Sequence, residues 1–515
     1  MPSGRWQLSL PAPLARGDDR SRRPLFVQIA AAIVDEIRRG RLAPGERMPG
    51  SRALAEQVGV HRNTVVAAYA ELTAQGFLRT DPARGTFVHA DLGLALEAGS
   101  SRRPIKRGDS QVHRAHSSRR ASTSGIGFDL PHAADDRFGL PLSRIAGTQE
   151  PEPGTYFLTG GRPDPRLFPA ALVARAYRRV LRREGRRVLD YGDAMGHPRL
   201  RHALADMLTK VRSLAVDLDG VLVTRGSQMG LDLVFGALIR PGDRVAVEAY
   251  GYPPAWAAMR RHGAQLCPVR VDDAGMCVDR LESLQAKGPL RCVYLTPHHQ
   301  YPTTTTLSAA RRIALLEFAR RHRVAVVEDD YDYEYHYEGR PVPPVASADD
   351  GHNVIYVGSL SKVLAPGLRI GYVVAPAPLL ERMARMRVMI DRQGDLTTEA
   401  ALAELFEDGD VQRHIWRTAR VYQARRDAFV VALREQLPGA LTFRVPPGGL
   451  AMWARVEQGL DADAWAARAL ARRVWVVPGR HCHIDGRKRP YLRLGFTRHD
   501  ESELVAAVRL LARTR

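Results

Sequence analysis

The chain has 515 residues, and its 76 Lys+Arg against 56 Asp+Glu leave a formal charge of +20. At roughly 150 residues per compact unit, this length allows about three, each able to bury a core. Hydrophobic residues at 45% and charged residues at 26% sit near globular averages, which excludes collagen-like repetition, wholesale disorder and a disulfide scaffold.

Five of the basic residues are lysines (Lys106, Lys210, Lys287, Lys362, Lys488) and the rest arginines, so basicity alone does not identify a nucleic-acid partner; the placement of the arginines must. The four cysteines, Cys267, Cys277, Cys292 and Cys482, form no CxxC pair and fit a reducing compartment. Met1 to Arg23, an N-terminal extension, lacks the apolar core of a secretory signal, and no run approaches the ~18 to 20 apolar residues of a membrane span. A cytoplasmic address, without a membrane partner, is expected.

The first unit, residues 24–90, opens with a helix whose Phe26, Ile29, Ile33 and Ile37 recur on one face, up to Gly40. After Ala43-Pro44-Gly45, Ser51 is expected to cap a short helix carrying Leu54, Ala55 and Val58, broken by Gly59. A third helix follows from about His61 to Gln75, with Val65, Tyr69 and Leu72 inward and Gly76 as its stop. Phe77 to Thr80 and Thr86 to Val88 read as a hairpin around a turn at Asp81 to Gly85. Three helices and a β-wing make a winged helix-turn-helix. Its third helix enters a major groove with His61, Arg62, Asn63 and Thr64 at the base edges, Arg62 suited to fork onto guanine. Arg52 reaches phosphate or base from the preceding helix, and Arg84, Gly85 and Thr86 of the wing reach the minor groove or the sugar-phosphate edge.

Residues 91–153 lose periodicity, with Ser, Arg and Gly dominating SSRRPIKRGDS and HRAHSSRRASTSG; this reads as a flexible linker. From 154 to 515, short β-branched runs alternate with amphipathic stretches: Val221 to Thr224, Arg244 to Glu248, Val293 to Thr296, Val324 to Glu328, Val354 to Val357 and Ile370 to Val374. They imply an α/β body with a mostly parallel sheet wrapped by helices. A smaller α+β lobe is expected over about 380–515, with strands at Leu441 to Val445 and Tyr491 to Phe496.

Within this body, YVGSLSKVLAPGLRIGY places Ser359, Ser361, Lys362 and Arg369 around one turn. A lysine can form an imine with an aldehyde cofactor, and hydroxyls with an arginine can bind that cofactor's phosphate, which is what pyridoxal 5′-phosphate requires. The strand VAVVEDDYDYEYHY delivers carboxylates at its C-terminal end, where open α/β sheets place ligands. Asp329 is assigned to the pyridine nitrogen, a place Asp330 or Asp332 could take instead, and Tyr331 to the phenolic oxygen. TRGSQMGL sets Ser227 and Gln228 at a helix start suited to an anion. In AYGYPPAW, Tyr252 can stack on the pyridine face, with Tyr250 and Trp256 competing. YLRLGF offers Arg493 for bidentate capture of a substrate carboxylate. His481-Cys482-His483 lacks zinc spacing and a partner cluster, so no metal is expected.

PLFVQIAAAIVDEIRRGRLAPGERMPGSRALAEQVGVHRNTVVAAYAEL resembles the N-terminal domain of GntR-family transcription regulators, in which Arg52, Arg62, Thr64 and Gly85 occupy DNA-contacting positions. YGDAMGHPRLRHAL, TRGSQMGL, TPHHQYP, EDDYD, SLSK…LRIGY and LRLGF resemble fold-type I aminotransferases over about Tyr156 to Arg515. Together the chain resembles the MocR/GabR/PdxR class of regulators. The resemblance implies Lys362 as the imine lysine, Asp329 and Tyr331 at the ring nitrogen and phenolic oxygen, and Tyr252 as the stacking ring. It puts Ser227, Gln228, Ser359, Ser361 and Arg369 around the phosphate, and Arg493 on the effector carboxylate. It also implies a head-to-tail homodimer acting on double-stranded promoter DNA, with pyridoxal phosphate or a small amino compound as effector and RNA polymerase as a further partner. The rival reading is an active aminotransferase with an appended DNA-binding head. Three departures stand out: Tyr250-Gly251-Tyr252 replaces the usual Pro-Gly-Tyr, Thr304 replaces a glycine, and Tyr301 replaces the asparagine that donates to the phenolic oxygen. The PPAW segment has no arginine until Arg260, which gives no support to a second effector-recognition site.

Overall fold

A computed structural model describes residues 25–38, 41–74, 77–81, 84–89, 153–338, 342–349 and 353–515, which fall into two units. The expected N-terminal extension, Gly40, Gly76 and nearly all of the expected linker lie outside the described residues.

In the first unit, α1 (Leu25–Arg38), α2 (Ser51–Val58) and α3 (Arg62–Ala74) precede the strands β1 (Leu78–Asp81) and β2 (Gly85–Val88). Ile29, Ile33 and Ile37 of α1 meet Leu54, Val65 and Leu72, and the antiparallel hairpin closes this core with Leu78 opposite Val88. Burying aliphatic side chains at about 25 cal/mol per Å2 is the main stabilising contribution in so small a unit. Gly59 ends α2 in the left-handed conformation at φ 68°, which frees the chain to turn at once into α3. Ser51 does not cap α2. Gly50 holds the N-cap position without a side-chain bond, and Ser51 Oγ instead accepts from Arg62 Nε at 3.3 Å.

The second unit is built on seven strands: β3 (Val221–Thr224), β4 (Arg244–Glu248), β5 (Gln265–Val269), β6 (Leu290–Leu295), β7 (Ala325–Asp330), β8 (Val354–Ser359) and β9 (Gly371–Val374). Their order is β3-β9-β8-β7-β6-β4-β5, parallel except where β9 joins β8 and β3. The six expected runs are all strands; β5 is the addition, with Gln265 and Pro268 exposed and Val269 buried on an edge of the sheet. The central strands read as unbroken apolar runs because helices cover both faces. Val223 and Tyr356 join one core, and Val245, Tyr294 and Val327 another.

The C-terminal lobe has its own four-stranded antiparallel sheet, which includes Leu441–Phe443, Ala451–Val456 and Tyr491–Gly495. Its separate core begins at Phe429 and takes in Leu158 from the start of the unit. Helix Leu396–Glu407 packs into the core of the large sheet instead, so residues after 380 divide between two cores.

Candidate functional site

The parallel strands β6, β7 and β8 end at Leu295, Asp330 and Ser359, and the turns beyond them wall a cavity of about 300 Å3. Ser227, Gln228, Tyr252, Asp329, Tyr331, Ser359, Ser361, Lys362, Arg369 and Arg493 all line it. Strand periodicity separates the three aspartates. Asp329 faces the cavity, while Asp330 points away and accepts from Tyr356 Oη at 2.7 Å near Arg212. Asp332 lies past the strand and pairs with His299 at 2.8 Å. The aromatic candidates separate likewise: Trp256 is in the apolar core and Tyr250 packs on Trp453 and Tyr491, which leaves Tyr252 at the cavity.

Burial raises the Asp329 carboxyl to about 7, opposed by Tyr294, whose hydroxyl donates to Oδ2 at 2.8 Å. Burial also lowers the Lys362 ammonium to about 8, helped by Arg493 and Arg162 and opposed by Asp332 and Asp329. An amine with so low a pKa is a ready nucleophile near neutrality. Tyr331 donates to the His299 carbonyl at 2.9 Å, a bond that fixes its ring at the cavity edge.

The other end of the cavity is an anion cradle. Gly226 opens α4 (Gly226–Leu238) at φ 76°, and a Cβ there would stand 2.9 Å from the Arg369 guanidinium. Only glycine therefore lets the helix start and this arginine approach one another. Arg369 donates to the Arg225 carbonyl at 2.9 Å, and Ser359 Oγ accepts from the Ser361 N–H at 3.1 Å. The backbone N–H groups of a helix start, two hydroxyls and a guanidinium are together suited to an anion such as a phosphate.

Arg493 is 2% exposed and has no carboxylate partner among the described residues. Its guanidinium lies over the Tyr301 ring at 4.5 Å and bonds the Thr159 carbonyl at 3.4 Å. A buried, unpaired guanidinium suits a carboxylate ligand. Sequence reasoning missed the strap Thr159 to Arg162, which also lines the cavity; its paired glycines were the available clue. It missed Tyr294 too, since a strand tyrosine reads as core. Tyr301, noted as a departure, lines the cavity and supports Arg493.

In the first unit, Arg52, His61, Arg62, Asn63 and Arg84 are exposed, and Thr64, Gly85 and Thr86 half-buried. His61 caps α3: its Nδ1 accepts from the Asn63 N–H at 3.3 Å and its carbonyl from the Thr64 N–H at 2.9 Å. Arg47, passed over in the sequence, lines the groove between α3 and the wing, its Nε 3.4 Å from where a Gly85 Cβ would stand. Among the described residues, no helix is long and apolar enough to cross a membrane.

Residues 161–511 match the family Aminotransferase class I and II, and residues 25–88 match Bacterial regulatory proteins, gntR family. The chain is 32% identical to the probable rhizopine catabolism regulatory protein MocR of Rhizobium meliloti, over 86% of its own length and 84% of that protein's. It is 31% identical to the HTH-type transcriptional regulator TauR of Rhodobacter capsulatus, over 93% and 94%. Among solved structures, LysN, the α-aminoadipate aminotransferase of Thermus thermophilus complexed with N-(5′-phosphopyridoxyl)-L-leucine, is similar at TM-score 0.66 and 31% identity. That likeness covers 70% of this chain and 92% of LysN.

Proposed function

Because the chain belongs to the MocR-like regulators, a GntR-type helix-turn-helix joined to an aminotransferase class I and II domain, we propose that it regulates transcription through pyridoxal 5′-phosphate held at Lys362. The observation that carries this reading is one cavity shared by the Lys362 amine, the buried Asp329 carboxylate and the Gly226–Arg369 anion cradle. When bound, the cofactor supplies an aldehyde carbon for which Lys362 and a free amino compound compete, and a ring nitrogen whose proton a carboxylate can hold.

Each residue then has a role. Ser227, Gln228, Ser359, Ser361 and Arg369 bind the phosphate, Asp329 holds a proton at the ring nitrogen, and Tyr252 covers the ring face. Tyr331 orients the phenolic oxygen, and Arg493 binds the carboxylate of a small amino effector. DNA is held by α3 through Arg62, Asn63 and Thr64, with Arg52, His61, Arg84, Gly85 and Thr86 contributing. A ligand that favours one state of the protein shifts its DNA affinity by its difference in affinity for the two states. The working unit is a homodimer on double-stranded promoter DNA.

The test combines two readouts. After incubation with pyridoxal phosphate and borohydride, the protein should gain mass on the peptide containing Lys362, and Lys362→Ala should not. The same preparation should hold one promoter fragment at salt that releases bulk DNA. No fixed mass on Lys362, or no promoter preference, overturns the reading. The retained lysine, carboxylate and cradle also favour a second activity, amino-group transfer; steady turnover of an amino donor with a 2-oxo acid, lost in Lys362→Ala, would establish it.

A further inference from the structure

His298 and His299 follow β6, and His336 follows β7. The three rings converge outside the cavity, with ligand nitrogens all within 4.8 Å of one another. We propose that these three imidazoles bind a divalent first-row transition ion at a site separate from the pyridoxal phosphate pocket.

Four ring nitrogens carry the argument. Both nitrogens of His298, Nε2 of His299 and Nδ1 of His336 are buried and have no hydrogen-bond partner. His298 and His299 are each 2% exposed. Histidines buried for packing normally satisfy their nitrogens, because an unpaired buried polar group loses its hydration without return. Ring stacking accounts for the faces of these rings, as with His298 on Tyr333 at 4.7 Å, and leaves the nitrogens unexplained.

The surroundings resemble those of a metal ligand. Asp332 bonds Nδ1 of His299 at 2.8 Å, which fixes the tautomer and turns Nε2 inward, the carboxylate–histidine pairing that supports metal-bound imidazoles. Gly448 lets the chain pass close to that Nε2, since a Cβ there would stand 2.6 Å from it and from the Tyr335 carbonyl. Tetrahedral coordination at about 2.0–2.1 Å brings the nitrogens to roughly 3.4 Å apart, and the broad χ2 torsion of histidine allows the rings to close onto an ion. Three imidazoles without a thiolate select zinc, cobalt, nickel or copper over magnesium or calcium. His336 borders an open cavity of about 510 Å3, the side from which an ion would enter. The bond from Tyr331 to the His299 carbonyl links the site to the edge of the cofactor pocket, so the ion would be a positioning element for Tyr331.

The His481–His483 triplet is not part of this site: His483 pairs with Asp485 at 2.7 Å and Cys482 is buried near Tyr301.

The experiment uses the full chain without a polyhistidine tag, stripped with chelator and titrated with cobalt. One cobalt per chain is expected, with visible d–d absorption and an X-ray absorption edge showing imidazole nitrogens. His298→Asn and His336→Gln should each weaken binding at least tenfold, while His322→Ala, at a half-buried histidine paired with Glu282, should not. Absence of stoichiometric cobalt, a ligand shell of oxygens alone, or unchanged affinity in both variants overturns the proposal. Borohydride-fixed mass at Lys362 is measured in parallel, so loss of the metal and loss of the cofactor are distinguished.

Discussion

Tyr294 on β6 donates its hydroxyl to Oδ2 of Asp329 on the parallel neighbour β7 at 2.8 Å. The bond steadies a carboxylate that burial alone would drive to its protonated form. Tyr294→Phe removes one charge-assisted hydrogen bond, so pyridoxal phosphate should bind more weakly by about 1.5–3 kcal/mol, roughly ten- to hundredfold. Equilibrium dialysis checks this. Unchanged affinity would mean that Asp329 does not hold the ring nitrogen as an anion.

The low pKa of Lys362 sets a pH profile. Its amine is protonated below about 8, where attack on an aldehyde requires the free base. Capture of pyridoxal phosphate, followed by absorbance, should rise with pH and level off above about 8, not continue towards the usual 10.5. Arg493→Gln removes a neighbouring positive charge and should move the break upward. In folding, the depressed pKa means that the native state binds fewer protons than the unfolded chain between about 8 and 10.5. Stability from this group therefore rises with pH across that window and is absent below it.

Gly160 lies against Arg493, and a Cβ there would fall 2.1 Å from Nη1. At φ +83° the position also disfavours any other residue. Gly160→Ala should push the guanidinium aside and reduce affinity for carboxylate-bearing amino compounds by about 1.5–3 kcal/mol. Absorbance of the bound cofactor should persist. Calorimetry with a panel of amino acids, scored against the same amines lacking a carboxylate, reads the difference; equal losses for both would remove Arg493 as the carboxylate anchor.

Much of this site was legible because its chemistry is local in sequence. Ser359, Ser361, Lys362 and Arg369 lie between the end of β8 and the start of β9, and Asp329 stands near the end of an apolar strand, so residue type and element were enough. What was not legible depends on long-range pairing. Tyr294 becomes functional only because β6 lies beside β7 with Tyr294 opposite Val327, which places its hydroxyl near Asp329. Gly160 matters only because its loop crosses Arg493, more than three hundred residues away. Ser51 shows the reverse error: its residue type fits a cap, but the helix begins one residue earlier than that reading needs, and its hydroxyl meets Arg62. The histidines of the proposed metal site come from two loops with no ligand spacing in common, so only the fold brings them together.

On DNA, Arg62 and Arg47 should behave differently. Arg62 is exposed at the start of α3, held lightly by Ser51 Oγ at 3.3 Å, and is free to swing to a base edge. Arg62→Ala should cost ~1–3 kcal/mol and relax preference at one base pair. Arg47 stands beside the wing at Gly85, a place from which a guanidinium would reach the sugar-phosphate edge of a bound duplex. Arg47→Ala should weaken specific and bulk DNA alike and lower the slope of log K against log salt by about one. Anisotropy titrations over a salt series with matched and base-substituted duplexes separate the two. If Arg47→Ala changed base preference, the wing would be reading sequence; if Arg62→Ala changed only the salt slope, α3 would lie along the backbone instead of in the groove.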